Sequence, residues 1–358
     1  MSVELVGFIG ARLASEVIPP AGPAVQPDFV RDFARVHEQA GFDRVLVGYY
    51  TNAADGFLVA QHAAAHTERL GMLLAHRPGF IAPPLAARKL ATLDYFTGGR
   101  LALHVISGGD DADQRRDGDW LGHDERYRRT DEYLELLKRI WTAEGPIDHQ
   151  GEFYRVQGAA PDVRSLQRPH VPIFFGGSSE AAIRVGAKHA DVYMLWGEPL
   201  ADVRRWIADV RAAAAQHGRS PSFSLSVRPI IAPTEAQAWE RGREILATIR
   251  RLGGQAPPPA PQNAGSQRLL DAAARGEVHD ARLWTAIAAA TGARGNTTAL
   301  VGTPEQVAEA LLDYCDLGIS TLLIRGFDPL NDAVEYGREL IPLVRAEAAR
   351  RERQATRA

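Results

Sequence analysis

Short runs rich in Val, Ile, Leu and Phe recur along the chain at Glu4–Ile9, Arg44–Val47, Leu70–Ala75, Leu101–Ile106, Ile173–Phe175, Val192–Leu195, Ser222–Ile231 and Thr321–Ile324. Runs of this length and composition predict β-strands. Between them, apolar residues return at helical spacing over Asp28–Ala40, Ala54–His66, Pro84–Phe96, Tyr127–Thr142, Ser179–His189, Leu200–His217 and Glu235–Arg251. Eight strands alternating with helices predict an α/β fold of the (β/α)8 TIM-barrel type with insertions. A doubly wound open sheet is the alternative that the same alternation allows.

The pattern runs through residues 1–358 as a single domain and is interrupted twice. Residues 145–172 hold GEFYRVQGA and read as a small strand pair or a long loop. Residues 253–296 turn to Gly, Pro, Ala, Gln and Asn, including Pro257-Pro258-Pro259, and a stretch of that kind inside a compact domain reads as a mobile flap over a site, a partly disordered segment or a tolerated insertion. Thr303-Pro304-Glu305 starts a further helix, and the charged tail from Arg345 is expected to fray.

At 358 residues the chain can bury a large core, and its formal net charge of −3 argues against a nucleic-acid surface. One cysteine, Cys315, leaves no internal disulfide and no cysteine-based zinc site. No long apolar span occurs and the N-terminus enters a strand at once, so the expectation is a cytoplasmic protein with no membrane association.

In a barrel of this kind the chemistry sits at the C-terminal strand ends. The fifth strand ends in Gly176-Gly177-Ser178-Ser179, where a helix begins. Free N–H groups, the helix dipole and close backbone approach at glycine make such a junction an anion site, although a plain serine cap fits it equally well. The other strand ends carry Arg12, Tyr49, Tyr50, Asn52, His76, Arg77, His104, Ser107, Trp196, Arg228, Arg325 and Phe327. These include many cations and no carboxylate cluster, and His76 and His104 lack a metal-site spacing, so no metal is expected. His104 also reads as a hydrogen-bonded core histidine.

Four segments carry a specific resemblance: RPGFIAPPLAARKLATLDYFTGGRLALHVISGGD at 77–110, DGDWLGHDERYRRTDEYLELLKRIW at 117–141, FFGGSS to LWGEP at 174–199, and TALVGTPEQVAEALLDYCDLGI at 298–319. Through them the chain resembles the bacterial-luciferase-like family of reduced-flavin-dependent monooxygenases and, within it, the alkanesulfonate monooxygenases. The resemblance implies a TIM barrel that takes FMNH2 as co-substrate with O2, the reduced flavin being supplied by a separate NAD(P)H-dependent flavin reductase. It implies cleavage of the carbon–sulfur bond of an organosulfonate, releasing sulfite and an aldehyde. It places Gly177, Ser178, Ser179 and Tyr127 on the FMN phosphate, and His104 and Ser107 against the flavin ring, with His123 nearby. It further implies a homodimer or homotetramer.

The substrate end departs from the family pattern. Ala53 stands where a cysteine is usual, Arg12 and Arg228 where histidines are, and Phe327 where a tyrosine is; Trp196 and Arg294 are retained. Arginine cannot serve as a general base but binds oxyanions well. Arg12, Arg228 and Arg294 are therefore expected to clamp a sulfonate, and with Trp196 they form the expected catalytic set. Tyr49, Asn52, His76 and Phe327 would shape the substrate side, and their polarity suits a sugar sulfonate such as sulfoquinovose. The same fold and flavin acting on a sulfone, terpene or amine, a non-catalytic flavin-binding protein, and a metal-dependent barrel hydrolase are the alternatives.

Overall fold

The computed structural model describes residues 3–160, 162–253 and 260–355. Strands one to eight are Glu4–Ile9, Arg44–Val47, Gly71–His76, Leu101–Val105, Ile173–Gly176, Val192–Trp196, Ser222–Ile231 and Ile319–Ile324. Each pairs in parallel with the next, and strand eight pairs with strand one, so the sheet closes into an eight-stranded barrel. The open-sheet alternative is thereby excluded.

Strict alternation along the strands sorts the side chains. Val6, Leu73, Ala102, Phe174 and Leu323 point inward and form a separate cluster with Leu46, Val192 and Met194 in the barrel lumen. Their neighbours, among them Leu5, Val45, Met72, Leu74, Leu103, Ile173 and Phe175, point outward into the main core beneath the helices. Helices begin where the local chemistry supplies free N–H partners. Asp55 and Thr303 cap their helices through side-chain oxygens, and Pro27, Pro83 and Pro304 occupy first helical positions that need no N–H.

Residues 147–159 form the expected strand pair, Ile147–Gln150 with Arg155–Ala159. Glu132 of the helix His123–Thr142 anchors it, accepting from the Phe153 and Tyr154 backbone N–H groups at 2.8 and 2.9 Å. The larger insertion contains more regular structure than its composition predicts. Strand seven outruns the barrel: Phe223–Val227 pair with strand eight, whereas Arg228–Ile231 pair with Ala299–Gly302. That strand continues antiparallel to Leu283–Trp284 and then Val278–His279, giving a side sheet. Helices Glu235–Gly253 and Ala286–Thr291 cover it around a second core of Ile230, Leu246, Ile249, Trp284, Ile287, Val301 and Phe327. A further helix, Ala264–Arg275, completes the insertion, while Pro257-Pro258-Pro259 lies outside the described residues.

The tail expected to fray from Arg345 is helical over Ile341–Ala355. Val344 and Ala348 are buried, and Arg345 pairs with Asp43 at 3.0 Å, which holds this helix against the base of strand two. Among the described residues, no helix is long and apolar enough to cross a membrane.

Trp284 is fully buried in the second core, stacked edge-on against Trp239 at 5.8 Å. Truncating it leaves a cavity that the short strands cannot collapse around, so Trp284→Ala should cost about 3–5 kcal/mol in denaturant unfolding. Hydrogen exchange should rise first in residues 278–302, and equal protection there in variant and parent would contradict an independent second core.

Candidate functional site

Strand five delivers the glycine–serine turn to the barrel mouth. Ser179 caps helix Glu180–His189, its Oγ accepting from the Ala182 N–H at 3.2 Å. Gly177 has φ +151°, and a β-carbon there would lie 2.7 Å from Ala182 Cβ and 3.1 Å from the Tyr127 hydroxyl oxygen. Only glycine fits this position, and its missing β-carbon lets the turn pack directly against Ala182 and the Tyr127 phenol. The Tyr193 hydroxyl fixes the turn from behind by donating to the Gly177 carbonyl at 2.8 Å. Burial raises the Tyr127 pKa, keeping it a neutral hydrogen-bond donor, with Ser179 partly offsetting that shift. A capping serine and an anion cradle are thus compatible in one turn.

A second helix begins over the same place. Asn263 caps helix Ala264–Arg275, its Oδ1 accepting from the Ser266 N–H at 2.7 Å. A β-carbon at Gly265 would sit 3.3 Å from Ser178 Oγ and 3.0 Å from the Trp196 ring. Gln262 accepts from the Asp111 N–H at 3.1 Å. The insertion therefore rests on the loops after strands four, five and six, with Trp196 as the barrel residue beneath it.

His104 points into the lumen beside Gly176, whose missing β-carbon leaves room 3.2 Å from its Nε2. Its Nδ1 is buried with no hydrogen-bond partner, and burial pushes its pKa down to about 4, so the ring is neutral near pH 7. The Ser107 hydroxyl is 2.9 Å from Thr130 Oγ1. An orphaned ring nitrogen in the lumen, next to an anion cradle on the adjacent strand, fits the flavin of a bound FMN with its phosphate at Gly177 to Ser179.

Beside strand one, four strands away from the turn, a cavity of about 380 Å³ runs from Phe8, Glu16, Tyr50, Arg228 and Arg325 at the strand ends to Phe33, His37, Phe42 and Tyr336 in the helix layer outside the barrel wall. Arg228 is almost fully buried and makes four hydrogen bonds: two to the Glu16 carboxylate at 3.0 Å, one to the Arg325 carbonyl at 3.0 Å and one to the Gly326 carbonyl at 2.7 Å. Its guanidinium also lies 3.8 Å above the Phe327 ring. Arg325 reaches Glu16 at 3.2 Å and stands 5.0 Å above Phe8. Burial opposes ionisation of Glu16, but the two arginines outweigh it and hold its pKa at about 2.

Three sequence expectations are corrected by this geometry. The clamp of Arg12, Arg228 and Arg294 does not form, because Arg228 is spent on Glu16 and two carbonyls, Arg12 reaches only the Gly22 carbonyl at 3.5 Å, and Arg294 is exposed. His76 does not face the pocket. Strand three extends one residue further than its apolar run, so His76 points outward, where its Nε2 is 2.7 Å from the buried Tyr133 hydroxyl. Phe327 lies in the second core under Arg228 and not on the cavity wall.

Tyr49 is tied into a network at the mouth, donating to Asp117 at 2.8 Å beneath Arg77, which itself pairs with Asp113. Asn52 is exposed on the loop after strand two. His123, at the start of its helix, packs against Tyr127 with ring centroids 4.9 Å apart and the planes tilted by 59°. Glu16 and Gly265 were not singled out by the sequence, and Arg325 was named at the end of strand eight without a role. Inward parity on strand eight was the available signal for Arg325; a lone acid in an irregular loop offered none for Glu16.

The family model for luciferase-like monooxygenases matches residues 4–321. Among solved structures the chain is similar to a riboflavin lyase crystallised with modified FMN and riboflavin, at 21% identity over 97% of this chain and 92% of that one, TM-score 0.80. It is also similar to an EDTA monooxygenase from a Chelativorans species, at 19% identity over 97% and 95%, TM-score 0.77. A long-chain alkane monooxygenase matches at 19% identity over 97% and 92%, TM-score 0.77.

Because the folded pKa of Glu16 lies below its ordinary 4.5, its stabilising effect is complete above that pH and is lost as pH falls toward about 2. The shift corresponds to of order 3 kcal/mol. Urea unfolding of the parent should therefore lose about that much more stability over this window than Glu16→Gln does, and parallel acid limbs would contradict the assignment.

Proposed function

This chain belongs to the luciferase-like monooxygenase family, and on that premise we propose that it is an FMNH2- and O2-dependent monooxygenase that cleaves the carbon–sulfur bond of an organosulfonate. The observation that carries this reading is the pairing of a glycine–serine turn on strand five with the Arg228–Glu16–Arg325 cluster beside strand one, four strands away. The first suits a flavin phosphate and the second a sulfonate. Reduced flavin, when bound, supplies the two electrons that let one atom of O2 enter the aldehyde product while the other leaves as water, with sulfite as the departing group.

The protein's own part is to bind, orient and dry the site. The Gly177, Ser178 and Ser179 N–H groups and the Tyr127 hydroxyl hold the phosphate, helped by the helix dipole. His104, kept neutral by burial, and Ser107 would lie against the ring. Trp196 and the insertion above it close the mouth over strands four to six, which excludes water from the reacting centre. Arg294, exposed on that insertion, and Arg12, Tyr49 and Asn52 on the loops after strands one and two, form the rim through which substrate enters.

We further propose that a separate NAD(P)H-dependent reductase supplies the reduced flavin and that the pair acts in the cytoplasm. Leu58, Leu85, Tyr95 and Phe96 are exposed on the contacting helices Gly56–Ala64 and Pro83–Phe96, and this face suits a homodimer or homotetramer.

Incubation with FMN, a flavin reductase, NADH and a sulfonate panel that includes sulfoquinovose should release sulfite and aldehyde in equal amounts. Flavin oxidation without sulfite across the panel, or turnover of a sulfone, terpene or amine instead, would overturn the desulfonation reading. Gly177→Ala should weaken oxidised FMN binding, read by flavin fluorescence quenching, by at least about tenfold and also lower the thermal midpoint, since the added carbon meets Ala182 Cβ at 2.7 Å and displaces the turn from the Tyr127 hydroxyl. Unchanged affinity would remove the cradle from the reading.

A further inference from the structure

The cavity beside strand one has a charge count that its shape alone does not reveal. Arg228 and Arg325 share the single carboxylate of Glu16, so two positive charges meet one negative charge, leaving an excess of one. The excess is not evenly available. Arg228 is almost fully buried and its four hydrogen bonds engage Glu16 and the backbone, whereas Arg325 gives a single hydrogen bond to Glu16. Three of the remaining lining groups titrate: His37, Tyr50 and Tyr336. Burial pushes His37 down to about 4 and Tyr336 well up, so neither adds charge at neutral pH. Phe8 lies under the Arg325 guanidinium, and Phe33 and Phe42 continue the apolar wall.

We infer that this cavity is a binding site for a small organic monoanion, with Arg325 as the residue that takes the anionic group and Glu16 as the residue that limits the ligand to one negative charge. A sulfonate or carboxylate satisfies the excess charge, and its apolar body packs on the phenylalanines. A dianion of similar size brings its second charge against the Glu16 carboxylate, which has no freedom to withdraw because both of its oxygens are held by Arg228. Glu16 is thus a specificity-determining residue that repels the wrong ligand while holding Arg228 in place. This assignment deepens the desulfonation reading, since it rests on that cavity being the substrate end, but binding tests it without turnover.

The probes are benzenesulfonate, benzoate and phenyl phosphate, titrated calorimetrically into the full chain at about pH 8, where a phosphate monoester with its second pKa near 6 is a dianion. The parent should bind at least one of the two monoanions at least about tenfold more tightly than phenyl phosphate. Arg325→Gln should lose at least about tenfold on every probe that the parent binds, while Arg325→Lys retains part of the monoanion binding. Glu16→Gln should shift the ratio of phenyl phosphate to monoanion affinity by at least about tenfold in favour of the dianion, and Glu16→Asp, which keeps the charge, should not.

Circular dichroism and oxidised FMN binding establish that each variant is folded; should Glu16→Gln fail that criterion, the parent's own preference and Arg325→Gln decide. Equal binding of monoanion and dianion by the parent, an unchanged ratio in folded Glu16→Gln, unchanged affinity in Arg325→Gln, or no monoanion binding at millimolar concentration would each overturn the inference. A monoanion preference without sulfite release sinks desulfonation alone. Sulfite release with unaltered binding by Arg325→Gln sinks the anion site alone.

Discussion

Closure of the sheet is the constraint from which the site follows. Once eight parallel strands form a ring, every second side chain must enter the lumen and its neighbours must face the helices, and no local preference can reverse one residue without slipping its whole strand. That parity sends His104, Trp196, Ser226 and Arg325 toward a common mouth. It sends His76 and Val227 away from it. The ring also sets distance: strand five stands opposite strand one, so the phosphate-type turn and the Glu16 loop face each other across the lumen instead of sharing a wall.

The division of charge between those two ends has a physical logic. The turn at Gly177 carries a helix start and a neutral phenol and places no formal charge of its own there. The opposite wall uses full charges but partly cancels them through Glu16, which keeps two buried guanidinium groups from repelling each other uncompensated. Burial and the neighbouring Arg228 charge both press the Arg325 pKa down, so the carboxylate between them is what makes that pair tolerable. Loss of either partner would strand a buried charge.

The barrel was legible in the sequence because each strand is a compact apolar run and each helix carries a continuous apolar stripe. The glycine–serine turn was legible as a strand–helix junction, although a helix cap and an anion site read alike there. What escaped detection shares a different character. The strands at Val278–His279 and Leu283–Trp284 are two residues each, too short for any period to register. His76 was misplaced because a run ending at Ala75 leaves the next residue looking like a loop, whereas the observed strand carries it and fixes its side. Arg228 was visible as a cation, yet its partner Glu16 lies 212 positions away in an irregular loop, and only folding brings the two together.

The fork in strand seven carries a consequence for anyone wishing to open this mouth by deleting the segment above it. Arg228 to Ile231 donate and accept along an edge that Ala299–Gly302 occupies, and Ile230 and Ile231 are buried there. Excising the side sheet would leave a bare, apolar strand edge at the rim of an otherwise edgeless barrel, a ready template for pairing with another molecule. The shortened protein should therefore tend to self-associate through that edge, so the side sheet covers an edge that the ring itself leaves open.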